Sequence, residues 1–435
     1  SQRKVLYGCL KKNLNVSIKV ANLAGYVSEQ TSYHHGEASL HGTIVNMAQD
    51  FVGSNNINLL TPDGQFGTRL MGGSDSASPR YIHTELNKIV DCIYPHNDLP
   101  LLEYTEDDGL KVEPKYYVPI LPMVLINGMT GIGTGFSTNI PQYNPLDIVH
   151  NLKQKLSGKA YLDMTPWFSG FKGITVKKDS KSFITKGLYK IIDQNTLEIT
   201  ELPIGKWTED YKSHLDSMVI ERSSKDDNGK NDKKKKKKQI ILDYENHCTD
   251  SEVKFIIHLK PGYLGKSQWS EDEIDTIEKD FNLTTSKNTS LTNIHLYNHK
   301  GTIQKYETIG DILYEYFYVR YNLYEKRKAY QLDQWNMEID TLLSKIKFIQ
   351  DVHTNKINLR DPQVESRMLE LGHDIHLLDM SIRKLGEENK LKEKVKELDL
   401  KITELTNTTI EQMWMKELES LEDFLYGRKR TIYDM

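Results

Sequence analysis

Apolar residues fall at helical spacing three times within the first 53 positions. Val5, Leu6, Cys9 and Leu10 share one face, Val20, Leu23, Ala24 and Val27 a second, and Leu40, Ile44, Met47, Ala48 and Phe51 a third. The spacing predicts three helices, the last ending near Gly53 as a C-cap. Asn58-Leu59-Leu60 runs into Pro62-Asp63-Gly64, a turn signal, and on to Phe66, which predicts a β-hairpin. Three helices and a hairpin fit a helix-turn-helix with a wing, whose third helix enters the major groove of DNA. They fit a small helical subdomain without a nucleic-acid role equally well.

A loop of small and polar residues, Ser74 to Pro79, ends in Arg80-Tyr81. Leu86, Ile89, Val90 and Ile93 then predict a helix that closes before Pro95. Residues 103–115 contain Glu106-Asp107-Asp108-Gly109, which reads as a solvated acidic loop rather than a magnesium site. Val118 to Gly128 is apolar and punctuated by proline, predicting a buried or edge strand. Gly131-Ile132-Gly133-Thr134-Gly135 is a glycine-rich loop that matches neither the dinucleotide nor the phosphate-loop pattern. Its one large residue, Ile132, stands at the tip, as an ordinary apolar anchor or as a wedge between base pairs.

From residue 171 to about 310 the patterning is mostly β, with alternation in Leu197–Glu201 and Val253–Leu259 and an N-cap-like Thr208. Residues 222–239, with an unbroken run from Lys233 to Lys238, cannot bury a core and predict a disordered surface loop. After Gly310 the chain turns helical. Ile312, Tyr316, Val319 and Leu323 lead into Ile339, Leu342, Leu343, Ile346 and Ile349. Leu391, Val395, Leu398, Ile402 and Leu405 form a heptad seam. These two segments predict an antiparallel helical arm that also dimerises, with residues 350–390 as a knob at its far end.

At 435 residues the chain has room for about three domains. Its formal net charge of -4 means that a nucleic-acid role needs basic residues gathered on one surface. Cys9, Cys92 and Cys248 make no zinc or redox spacing, which points to a reducing compartment. No apolar run is long enough for a membrane span, and there is no secretory signal. The first residues already read as the inside of a helix, so further sequence is expected upstream. The chemistry-bearing candidate is Arg80-Tyr81. A phenol becomes a nucleophile when its pKa of ~10 is lowered, and a planar guanidinium holds two phosphate oxygens. With 24 tyrosines in the chain, the dipeptide alone says little.

Seven stretches carry a resemblance. They are Gln2–Gly8, Tyr33-His34-His35-Gly36-Glu37, Asn55-Asn56-Ile57, Arg80-Tyr81, Pro119-Ile120-Leu121-Pro122, Gly131–Gly135 and Ile199–Thr208. Their order and spacing resemble the eukaryotic type IIA DNA topoisomerases over nearly the whole chain, weakly across 220–245 and 350–390. The resemblance implies a multidomain α+β protein. A winged-helix DNA-cleavage domain would cover 1–120, a mixed α/β tower domain 121–308, and a long antiparallel coiled-coil exit gate with a small helical tip 309–435. It implies a homodimer that cuts both strands of one DNA duplex and passes a second through the gap. Tyr81 is then the nucleophile that forms a 5′-phosphotyrosine link, Arg80 the transition-state stabiliser, and His35 a partner of the scissile phosphate or of a leaving proton. Arg3, Lys4, Tyr33, His34 and Ser39 would grip DNA, and Ile132 would bend it. Trp207, Ser286, Lys287 and Ser290 would touch the bent duplex.

The same resemblance implies magnesium and ATP, both held by domains expected upstream rather than by metal ligands in this chain, and a nuclear location without membrane association. Ser78-Pro79 before Arg80 and the lysine run depart from the pattern without a reason to remove activity. Two rival readings are a non-catalytic DNA-binding dimer of the same fold and a bacterial gyrase A-type subunit.

Overall fold

The computed structural model describes residues 1–107, 109–133, 135–220, 239–264, 271–287, 289–379 and 387–433. The lysine run, expected to be disordered, lies outside the described residues. The chain is mixed α+β and divides into two compact units. One comprises Ser1–His96, Leu102–Val319 and Leu418–Met435, the other Asn97–Leu101 and Arg320–Glu417.

The first unit opens with α1 (Gln2–Lys12), β1 (Ile18–Lys19), α2 (Val20–Gln30) and α3 (Glu37–Ala48). The three predicted helices form, and Val5, Leu6, Cys9, Val20, Leu23, Ala24, Val27, Leu40, Ile44, Met47 and Ala48 are buried as their spacing requires. Each large aliphatic side chain so buried stabilises the fold by roughly 1.5–3 kcal/mol. Burial also pushes the Cys9 thiol up to about 12, leaving it an inert core residue. α3 ends at Ala48, earlier than predicted, because Gln49 leaves the helix to bond the loop beyond it; Gly53 sits in a later turn at φ +89°.

The predicted hairpin around Phe66 does not form. β2 (Leu60–Asp63) pairs with β3 (His83–Leu86), and β1 pairs with the other side of β3. Residues 64–82 are therefore a long connection within an antiparallel sheet. The helix predicted from Leu86 is likewise corrected. Residues 83–86 are strand, and the helix that follows, α4, is confined to Ile89–Ile93. Partners on both sides of β3 favour extended backbone, and the Leu86 N–H donates to the Leu14 carbonyl at 3.0 Å. Four apolar positions could not separate one five-residue helix from a strand leading into it.

The acidic segment is not a solvated loop. It is the hairpin β4 (Tyr104–Asp107) and β5 (Leu110–Pro114), with Val112 and Glu113 buried. The strand predicted over 118–128 is irregular and ends in a one-turn helix, α5 (Met123–Ile126). Pro119 and Pro122 cannot donate to a sheet ladder, although Ile120, Leu121, Leu125 and Ile126 are buried. The glycine-rich loop is a β-ribbon, β6 (Met129–Gly133) with β7 (Phe136–Ile140), in which Ile132 stands opposite Ser137. α6 (Pro145–Leu156) follows, capped by Asn144.

Next come β8 (Ile174–Asp179), β9 (Ser182–Lys186), β10 (Leu188–Ile191), β11 (Thr196–Glu201), α7 (Thr208–Asp216), β12 (Ile241–Asn246), β13 (Phe255–Leu259), α8 (Glu271–Asp280), β14 (Thr284–Thr285), β15 (His295–Tyr297) and β16 (Ile303–Lys305). The sheet β10-β11-β13-β12 buries Leu197, Ile199, Phe255 and Ile257 against Tyr211, Leu215, Ile277 and Phe281. Trp207, not Thr208, is the N-cap position of α7.

The second unit is built on α9 (Ile309–His353), α10 (Val364–Glu370), α11 (Glu388–Asn407) and α12 (Ile410–Tyr433), of which α9 and α12 also extend into the first unit. α9 and α11 run antiparallel, since Lys328 reaches the Thr406 carbonyl while Gln350 reaches Glu388. Leu398 of the predicted seam packs on Ile339 and Leu342, flanked by Val395 and Ile402. Phe348, Ile349, Ile357 and Met368 form the core of the knob.

Candidate functional site

Residues 64–82 form a dense loop. The Thr68 N–H and hydroxyl donate to the Asp75 carboxylate at 2.9 and 2.6 Å, and the Gly73 N–H returns to the Thr68 carbonyl. Burial works against ionisation of Asp75, but the Thr68 bonds hold its carboxyl below the ordinary value. A Cβ on Gly67 would lie 2.5 Å from the Gly73 Cα, so the two limbs touch backbone to backbone.

Two helix N-termini pin this loop. Val20 and Ala21 of α2 donate to the carbonyls of Ile82 and Pro79 at 3.0 and 3.1 Å. Thr208 and Glu209 of α7 donate to those of Arg69 and Leu70 at 3.3 and 3.0 Å. First-turn N–H groups have no partner inside their own helix, so the loop supplies their acceptors. A buried ion pair adds to this. Arg69 meets Glu201 at 2.5 Å, and Glu201 also accepts the Leu202 and Lys172 N–H groups.

The held backbone presents free side chains. Ile82 is 1% exposed, whereas neighbouring Tyr81 is 70% exposed and Arg80 is also exposed. The Arg80 guanidinium lies 5.4 Å from the Tyr81 ring, and Arg80 Nε reaches Ser78 Oγ at 3.4 Å. A phenol open to an incoming phosphate, with a guanidinium beside it, can attack phosphorus while the charge on the phosphate oxygens is held.

The other predicted residues fall into groups. Tyr33 and His35 stack edge to face at 5.4 Å, with His35 exposed. His34 pairs with Asp107 at 3.1 Å, and Ser39 lies exposed in the first turn of α3. Lys4 bonds Glu113 at 3.0 Å and the Thr31 carbonyl at 2.6 Å; Arg3 bonds the Lys115 carbonyl and lies 3.7 Å from Glu113. Among the described residues no hydrogen bond or ring contact joins His35 to Arg80 or Tyr81.

Ile132 is 93% exposed on its ribbon. Asn293 and His295 buttress β7: Asn293 Nδ2 donates to Ser137 Oγ at 2.7 Å, and His295 Nδ1 donates to the Ser137 carbonyl at 3.1 Å. Ser286, Lys287 and Ser290 lie just upstream on the same segment, which runs beside β9 through the Ser182–Ser290 bridge. Half-buried Trp207 packs edge to face on Phe51 at 5.9 Å. It also fills the space at Gly72, where a Cβ would stand 2.3 Å from the indole and φ is +62°.

Sequence reasoning gave no role to Arg69, Glu201, Glu113, Gln49, Asn56 and Asn127. For Glu201 a signal existed. Leu197, Ile199 and Glu201 share one parity of β11, and a carboxylate on the buried parity requires a partner. Arg69 carried no such signal. Among the described residues no group of three or more His, Cys, Asp or Glu side chains could hold a metal ion. No step is therefore routed through a metal ion here. No described helix is long and apolar enough to cross a membrane.

The fold and this loop define an α+β protein with a paired phenol and guanidinium exposed on a pinned loop. A family model for the A subunit of DNA gyrase and topoisomerase IV matches residues 1–419, and the chain belongs to that family. Two of its curated relatives are named DNA topoisomerase 2. That of Acanthamoeba polyphaga mimivirus is 40% identical over 82% of this chain and 31% of its own length. That of Plasmodium falciparum is 37% identical over 97% of this chain and 32% of its own. The chain thus spans about a third of these relatives. The solved DNA-binding, cleavage and re-ligation domain of Plasmodium falciparum topoisomerase II matches all of this chain, and 61% of its own, at a TM-score of 0.89 and 36% identity.

Proposed function

We propose that this chain is the breakage-and-reunion core of a type II DNA topoisomerase of the eukaryotic kind. The observation that carries the reading is the exposed Arg80-Tyr81 pair on a loop held at both limbs, in a chain of this family. Tyr81 Oη attacks a backbone phosphorus. The P–O3′ bond breaks, a 5′-phosphotyrosine bond forms, and the freed 3′-hydroxyl takes up a proton. The bond energy is kept, so the 3′-hydroxyl reseals the strand by the reverse attack. Arg80 holds the phosphate oxygens as charge builds on them, and exposed His35 hydrogen-bonds the scissile phosphate or helps a proton leave.

α1 to β3, with the loop 64–82, act as a winged helix within a cleavage domain covering 1–120. Arg3, Lys4, Tyr33, His34 and Ser39 grip DNA there. Residues 121–308 act as the tower, where Ile132 enters a base step and Trp207, Ser286, Lys287 and Ser290 line the bent duplex. Residues 309–435 act as a dimerising exit gate. Two strands need two tyrosines, so a homodimer brings two Tyr81 to one duplex. Magnesium and ATP act through parts of the full-length enzyme beyond this region. Replacing Tyr81 by Phe in the full-length dimer tests the reading. Covalent protein–DNA adducts should vanish while DNA binding stays, and adducts that persist would overturn it.

A further inference from the structure

The ribbon that carries Ile132 is rooted in a polar knot. On the segment entering it, the Asn127 side chain exchanges both amide bonds with the Ile57 backbone, at 2.9 and 2.8 Å. On the segment leaving it, Gln142 Nε2 donates to the Ser54 carbonyl at 2.6 Å. Asn56 Nδ2 faces the carbonyls of Ile126, Tyr143 and Trp167 at 2.9 to 3.1 Å, while its Oδ1 accepts the Ser169 N–H at 2.8 Å. Both roots of the ribbon are thus tied to one short stretch, Ser54 to Ile57. Gly128 at the entry lies so close to the exit strand that a Cβ would stand 2.6 Å from the Ile140 carbonyl oxygen.

The same stretch continues to the tyrosine loop. Asn55 Nδ2 donates to the carbonyls of Asn46 and Gln49 at 2.6 and 2.9 Å. Buried Gln49 donates in turn to the carbonyl of Phe66 at 2.9 Å and, more weakly, to that of Gly73 at 3.4 Å. Gly73 sits so tightly against the Gln49 amide that a Cβ there would come within 2.4 Å of it. Phe66 and Gly73 belong to the loop whose other limb ends in Arg80-Tyr81. Side-chain amides are uncharged and need matched donors and acceptors. A run of them through a half-buried region holds one geometry and passes a displacement on.

We infer that Asn127, Asn56, Asn55 and Gln49 are positioning residues that couple the Ile132 ribbon to the Tyr81 loop, so that bending of DNA at the ribbon sets the nucleophile for attack. The inference rests on the proposed cleavage function. In this arrangement Ile132 senses whether the duplex bends, and the amide relay reports that state to the loop. Spatial continuity alone does not establish coupling, so the test separates bending from cleavage.

The test uses the full-length dimer with magnesium and a duplex labelled for energy transfer, with Gln49→Met and Asn127→Ala cutting the relay at its two ends. Gln49→Glu, nearly isosteric, replaces the Met variant if thermal melting shows that one unfolded. The expected result is wild-type DNA bending with covalent adduct per bent duplex lowered about fivefold to tenfold. A nicked, easily bent duplex should restore cleavage to Ile132→Ala but not to the relay variants. Folded relay variants that give wild-type adduct per bent duplex would overturn the coupling, whatever their melting temperature. The Tyr81→Phe control separates the two ideas. Adducts persisting in it sink the cleavage reading itself, whereas their loss beside normal cleavage by the relay variants sinks only the relay.

Discussion

Ile132 and Glu201 are opposite cases of what one side chain does. Ile132 is almost wholly exposed, so Ile132→Ala removes little from the core, and the melting temperature should stay unchanged. DNA bending and cleavage should fall together; bending that stays at the wild-type level in an energy-transfer assay would remove the wedge role. Glu201 is fully buried with three partners, Arg69 and two backbone N–H groups. Glu201→Gln keeps the shape but strips the charge that Arg69 needs, leaving a buried guanidinium without its counter-ion. Breaking such a pair from one side costs about 3–5 kcal/mol, a loss to be read from the denaturant midpoint. A midpoint within error of wild type would show that Arg69 finds another acceptor. Lys4 and Arg3 also read differently in the structure than in the sequence. Both turn toward buried Glu113, so their charges are partly met before any phosphate arrives.

At the scale of elements, Gly72 shows how a loop is fixed by what stands beside it. Its positive φ and the indole of Trp207 leave no room for a Cβ. Gly72→Ala should loosen the tyrosine loop and slow cleavage more than it weakens DNA binding, as a drop in kcat at nearly constant KM would report. The amphipathic helices were legible because burial repeats in them every three to four residues, and Leu40 or Leu398 needs no distant partner to declare its face. The β2–β3 pairing was not legible, because its partners are separated by a nineteen-residue connection whose order comes from Asp75, Arg69 and two helix ends elsewhere in the chain. The tyrosine itself was legible only through its motif. That it stands free while Ile82 is clamped is a property of the packed loop.

The knob carries a pH dependence of its own. His373 bonds Asp351 at 2.9 Å and Lys356 lies 3.2 Å from the same carboxylate. The His373 bond first, then Lys356, hold the Asp351 carboxyl below its ordinary 3.8. A depressed folded value stabilises the knob above the unfolded value, and that contribution is lost as pH falls below about 3.8 toward the folded value. Asp351→Asn should therefore lower stability at neutral pH and flatten its acid dependence. Hydrogen exchange of residues 345–373 at several pH values reads both effects.

For the molecule as a whole, the proposed DNA partner raises the question of how a chain of net charge -4 divides its cations between ligand and core. Part of the answer is that many of its cations are already engaged. In the second unit Arg320 and Arg327 are buried with Asp98, at 2.5 and 2.7 Å, and Arg327 also meets Glu417 at 2.5 Å. Burial works against the charge on Arg327, yet Glu417 and Asp98 more than offset it and raise its pKa above the ordinary value. These guanidiniums are structural and should contribute nothing to the salt dependence of the proposed DNA binding, which exposed residues such as Arg80, Arg3 and Lys287 should carry instead. Asp98→Asn removes the carboxylate charge that both arginines share. It should destabilise the second unit by about 3–5 kcal/mol, seen as faster hydrogen exchange in α9 beyond Arg320 and in α11. Protection within Ser1–His96 should hold, because that segment's core is built from α1 to α3 and their own sheet. The slope of DNA affinity against salt should also match the wild type. A changed slope would place Asp98 and its arginines on the DNA-binding surface instead of in the core of the second unit.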